Sequence, residues 1–98
     1  MITRVFRTIV KHGFEKEFEE FFNKQALPML MSKEGLLSIT FGKELDKNKN
    51  EFLMISKWKD IDSLIEFTGK DWHKPVVNDE IKHLITEVFV NHYETSEL

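Results

Sequence analysis

Cysteine does not occur in the chain, and its absence removes disulfides, thiolate metal sites, iron–sulfur clusters and a cysteine nucleophile together. Proline is limited to two residues and glycine to four, and no linker, internal repeat or low-complexity stretch interrupts the sequence. No apolar run approaches the ~20 residues that cross a bilayer, and no charged-then-apolar leader opens the chain. Positive charge is not in excess either. Lys and Arg total 14 against 17 Asp and Glu, a formal net charge of −3, whereas a nucleic-acid module rests on concentrated positive charge. These absences lead us to expect a cytoplasmic protein with neither membrane nor nucleic acid as a partner.

What is present is compact and aromatic. The 98 residues are 41% hydrophobic and 32% charged, a globular composition sized for one domain over residues 1–98. Nine phenylalanines, two tryptophans and one tyrosine are a large apolar allotment. Each such side chain is worth roughly 1.5–3 kcal/mol when fully buried. They can fill a core, line a pocket or make a subunit interface.

The opening segment, Ile2 to Val10, is β-branched and aromatic, as strands prefer. Its period-2 faces are both part apolar: Val5 and Ile9 share one side with Arg7, Phe6 and Val10 the other with Arg4. Phe14, Phe18, Phe21, Phe22, Gln25, Ala26 and Met29 then follow a helical stripe, with Glu15, Glu17, Glu19 and Glu20 facing out. Pro28 predicts an end or kink near Leu27. Leu36 to Glu44 alternates as a second strand, with Leu37, Ile39 and Phe41 on one face. A polar turn from Asp46 to Asn50 leads into a third strand, Glu51 to Trp58. Asp60 reads as a helix cap, Ile61, Leu64, Ile65 and Thr68 keep helical spacing, and Gly69 supplies a stop. A short helix carrying Ile81, Leu84 and Ile85 precedes a last strand from about Val88 to Glu94 and a polar tail.

The order is β-α-β-β-α-β. It predicts an α+β, ferredoxin-like fold, one antiparallel sheet with helices on one face. A solvated second face would be polar, yet these strands carry apolar residues on both sides. A partner subunit covering that face, hence a homodimer, is the expectation.

With this order in place, Leu53 to Trp58 followed by Lys59 and Asp60 resembles the strand-ending Trp and helix-opening acid of antibiotic biosynthesis monooxygenase (ABM) domains. The run Gly69 to Val77, with Asn91-His92-Tyr93-Glu94 in the last strand, looks like a branch of the same superfamily. The resemblance implies a dimeric α+β barrel with a pocket between helices and sheet in each protomer. In the cofactor-independent quinone-forming members, an Asn lies four positions before that Trp and a Tyr six after it; here those positions hold Met54 and Leu64. The haem-degrading members use an Asn in the first strand, a Trp in the second helix and a later His. By the nearest register these fall on Phe6, Phe67 and Val77.

Candidate roles follow. The pocket is expected to bind an apolar aromatic small molecule and, as a monooxygenase, to oxidise it without metal or flavin. His73 is the candidate base, because histidine is the side chain suited to proton transfer near physiological pH, and Arg7 the candidate stabiliser of an anion. Trp58, Trp72, Phe6, Met54, Leu64 and Phe67 are the candidate substrate-binding residues. Haem, with His73 as axial ligand and Trp72 beside the macrocycle, is the alternative cofactor; a non-catalytic ligand-binding dimer is the alternative function. His12, His73, His83 and His92 fall in separate segments without metal-ligand spacing, so no metal site is expected.

Overall fold

A computed structural model describes residues 1–75 and 77–96. Val76, within the 69–77 run, and Glu97 and Leu98 of the tail lie outside the described residues. Four strands, β1 (Ile2–Val10), β2 (Leu36–Lys43), β3 (Glu51–Trp58) and β4 (Ile85–Glu94), form one sheet in the order β2-β3-β1-β4. Every pairing is antiparallel. Three helices, α1 (Glu15–Phe21), α2 (Leu27–Met31) and α3 (Ile61–Thr68), complete the ferredoxin-like α+β arrangement. Among the described residues no helix is long and apolar enough to cross a membrane.

Because paired antiparallel residues share a face, the register sorts the side chains. Phe41, Met54 and Phe6 form one row towards the helices, and Ile39, Ser56, Arg4 and His92 form the next. Val5 and Ile55 lie on the opposite face, as do Leu53, Arg7 and Phe89. That second face sets apolar side chains among Arg7, Glu51 and Asn91 and is partly open, with Phe89 39% and Tyr93 53% exposed.

The chain departs from its sequence pattern at three places. Pro28 does not end the helix. A π-helical turn, Phe22–Ala26, joins α1 to α2 and sets Pro28 in the first turn of α2, where a missing N–H costs least. Leu37 does not share the face of Ile39 and Phe41, because the β2–β3 register shifts between Leu36 and Ser38. The bulge leaves Leu37 55% exposed. The expected helix around Ile81 to Ile85 shrinks to a 3₁₀ turn, Lys82–Leu84, and β4 starts at Ile85 rather than near Val88. There Lys11 N–H donates to the Leu84 carbonyl, so strand pairing claims residues that a helix would need.

α3 behaves as its sequence predicts. The Asp60 carboxylate accepts from the Ser63 N–H at 2.9 Å, and Gly69 closes the helix at φ 87°, a conformation in which a side chain would be strained. Two buried clusters hold the layers together. Val10, Phe18, Phe52 and Leu84 make one; Leu30, Trp58 and Leu64 make the other, with Ile2, Leu36, Phe67 and Trp72 packed against it.

Candidate functional site

A cavity of about 530 Å³ lies between the helices and the sheet. β1 contributes Arg4, Phe6 and Thr8 to it, β2 contributes Phe41, and β3 contributes Phe52 and Met54. The opposite wall is Phe18 and Phe21 of α1, Phe22, Gln25 and Ala26 of the π turn, and Met29 and Leu30 of α2. Phe67 and Thr68 of α3, with Val77, Asn78, Ile81 and Ile85, close the side. The π turn thus sits on the cavity wall.

Aromatic packing gives the cavity flat surfaces. Phe22 and Phe41 stack with centroids 3.9 Å apart at 11°, and Phe41 and Phe52 at 5.7 Å and 15°. Arg4 is the one charged side chain among the described residues lining it. It is 3% exposed. Its Nη1 donates to the Trp72 carbonyl at 3.0 Å and to His92 Nε2 at 3.0 Å, and its guanidinium lies 5.6 Å from the Phe6 ring centroid. Burial pulls its pKa down to about 10, which still leaves a cation at neutral pH. Because an arginine only donates, His92 Nε2 is the acceptor and its ring proton sits on Nδ1. Burial, the Arg4 charge and His73 hold His92 below its ordinary pKa, in keeping with that neutral tautomer.

Of the residues singled out from sequence, Phe6, Met54 and Phe67 line the cavity, as does Val77. Trp58 and Leu64 are fully buried in the adjoining cluster. Trp58 stacks on Phe67 at 5.2 Å and 17°, and its Nε1–H donates to Ser56 Oγ at 3.0 Å. Trp72 is half-buried against that cluster, edge-on to His92 at 4.8 Å. His73 is exposed and meets the edge of Trp72 at 5.7 Å; neither lines the cavity.

Arg7 is on the other face of β1. Its Nε and Nη2 each donate to the Glu51 carboxylate at 3.0 Å, and it lies 5.1 Å from the Phe89 ring. The sheet separates it from the cavity, so the cation available to a bound molecule is Arg4. Alternation alone places the two arginines on opposite faces; which face the helices cover depends on the register with β3, which becomes visible only in three dimensions. Among the described residues no three His, Asp or Glu side chains gather as a metal site. Among the described residues the lining also holds no imidazole, phenol or thiol to ligate a haem iron; its sulfur atoms are the Met29 and Met54 thioethers.

A family model described as antibiotic biosynthesis monooxygenase matches residues 1–79. No curated protein matches in sequence. Among solved structures, a Deinococcus radiodurans protein classed with those monooxygenases is similar at a TM-score of 0.78 and 14% identity, over 100% of this chain and 95% of that one. SnoaB of Streptomyces nogalater, a cofactor-independent oxygenase, is similar at 0.74 and 23%, over 99% of this chain and 94% of that one. MhuD, with two manganese protoporphyrin IX molecules bound per active site, is similar at 0.74 and 12%, over 97% and 94%. At these identities the likeness is one of fold.

Proposed function

Given that the chain belongs to the antibiotic biosynthesis monooxygenase family, we propose that it is a cofactor-independent oxygenase whose cavity binds a flat aromatic molecule. The observation that carries this is the cavity wall: stacked Phe22, Phe41 and Phe52 rings beside a single buried cation. The positions at which other members carry Asn, Tyr, Trp or His are Phe6, Met54, Leu64, Phe67 and Val77 here; all but Leu64, which is buried in the adjoining cluster, line the cavity. Such a wall selects its ligand by shape and apolar area.

An electron-rich phenol then supplies the electrons. One oxygen atom of O₂ enters the ring to give a quinone, and the other leaves as water with the phenolic and ring hydrogens. The reaction balances without an external reductant. Arg4, in a low-dielectric wall, attracts an anionic group of the ligand and so holds its ring against the phenylalanines. We further propose that residues 1–98 act as one unit in the cytoplasm and pair as a homodimer, the open sheet face of Val5, Leu53, Ile55 and Phe89 covering its counterpart.

The test is oxygen uptake with 1,8-dihydroxynaphthalene in chelator-treated, flavin-free buffer, alongside a haemin titration. Uptake above the uncatalysed rate, one O₂ per quinone formed, is expected, with no saturable Soret shift. A saturable shift that is lost in His73→Ala, with no uptake, overturns the proposal in favour of haem chemistry. Sedimentation checks the dimer, and a monomer at micromolar concentration overturns it.

A further inference from the structure

The chain contains two arginines, and they are in opposite states. On the open face, Arg7 presents its Nε–Nη2 edge to a carboxylate and both bonds are made at 3.0 Å. On the cavity face, Arg4 spends Nη1 on the Trp72 carbonyl and His92. Nη1 is the one Arg4 side-chain donor with a partner among the described residues, and Nε is buried without any hydrogen bond.

That vacancy matters because Arg4 is a buried cation without a countercharge. Among the described residues no carboxylate comes within ion-pair distance of it, and His92 beside it is neutral. Buried charges are ordinarily paired, and a buried donor left unmade carries its full desolvation cost. Positioning the 69–75 segment through the Trp72 carbonyl accounts for Nη1 only. It leaves the fork unexplained.

Resting on the proposed aromatic pocket, we propose that its ligand is an aromatic acid whose carboxylate seats on the Nε–Nη2 edge of Arg4 while its rings occupy the phenylalanine-lined cavity. Two parallel N–H donors match the two oxygens of a carboxylate, as Glu51 demonstrates on Arg7, whereas a lone hydroxyl fills half of the fork. Burial strengthens the pair, since the anion meets its partner out of water. The ligand supplies the countercharge that the fold omits.

The probes are 2-naphthoate and its neutral isostere 2-naphthamide, titrated calorimetrically into the intact protein and followed by arginine Nε–H NMR. Only two such resonances exist, and Arg7→Lys identifies the Arg4 signal as the one that remains. The naphthoate is expected to bind at least roughly tenfold more tightly than the amide and to shift the Arg4 resonance, which the amide leaves in place. Arg4→Lys keeps the charge but not the fork, and the preference should shrink several-fold. Equal affinities, or naphthoate binding that leaves the Arg4 resonance unmoved, overturn the carboxylate assignment and leave the aromatic pocket standing. Failure of both compounds to bind removes the pocket and the assignment together.

Discussion

Replacing Leu64 by alanine separates core from cavity. Leu64 is fully buried and packs with Leu30 and Trp58, but it does not line the cavity. Cutting its isobutyl group back to a methyl forfeits about 2 kcal/mol of transfer free energy. The void left behind adds about 24 cal/mol per Å³ that the neighbours cannot fill. Trp58 is held by its bond to Ser56 and its stack on Phe67, so relaxation is limited and the total comes to about 3–4 kcal/mol. For a domain of this size that lowers Tm by about 15–25 °C. Urea unfolding at fixed protomer concentration, with an unchanged slope, measures it. Affinity of the folded variant for 2-naphthoate should stay within about twofold, because the lost atoms never meet the ligand. Phe67→Ala is the counterpart: it strips a cavity wall and should weaken binding outright. A loss below about 1 kcal/mol for Leu64→Ala, or a binding defect like that of Phe67→Ala, refutes this assignment.

Gly35→Ala should destabilise by about 1–3 kcal/mol, read by thermal melting, because a β-carbon there would collide with the Ser63 side chain on α3. Glu51→Gln should leave 2-naphthoate affinity within about twofold, since the Arg7–Glu51 pair occupies the face opposite the cavity. His92 is held below its ordinary 6.5, chiefly by burial. The folded chain therefore binds fewer protons there than the unfolded one, and stability falls as pH drops below 6.5. Tm should decline from pH 7.5 to 5.5, less steeply in His92→Gln; an unchanged slope in the variant discards His92 as the source. The carboxylates of Glu15, Glu51, Asp60 and Asp79 are held below their ordinary values of 4.5 and 3.8. Their contribution is lost lower still, outside that window.

Local signals made the architecture legible. Phe18 and Phe22 at helical spacing are buried as the pattern requires, and Asp60 and Gly69 bound α3. The element order alone specified the sheet. The site was harder to see because it depends on register. Arg4 and Arg7 look equivalent in a strand whose two faces are equally apolar. Glu51, which fills the Arg7 fork, is 44 residues away in sequence. Trp72 and His73 drew attention as loop aromatics, but the fold packs Trp72 against the Leu30–Trp58–Leu64 cluster and leaves His73 outside. The abundance of phenylalanine was the available sign of an aromatic cavity; it could not say which rings formed it.

The π turn at Phe22–Ala26 means that α1 and α2 are one helix carrying a surplus residue. Removing a residue there would restore ordinary helical spacing and twist the two halves against each other by about 100°. Phe18 would keep its place over the sheet, while Met29 and Leu30 would swing off the cavity they now enclose. A one-residue insertion or deletion at this point therefore re-cuts the shape of the ligand chamber and takes Leu30 out of the cluster it shares with Trp58 and Leu64.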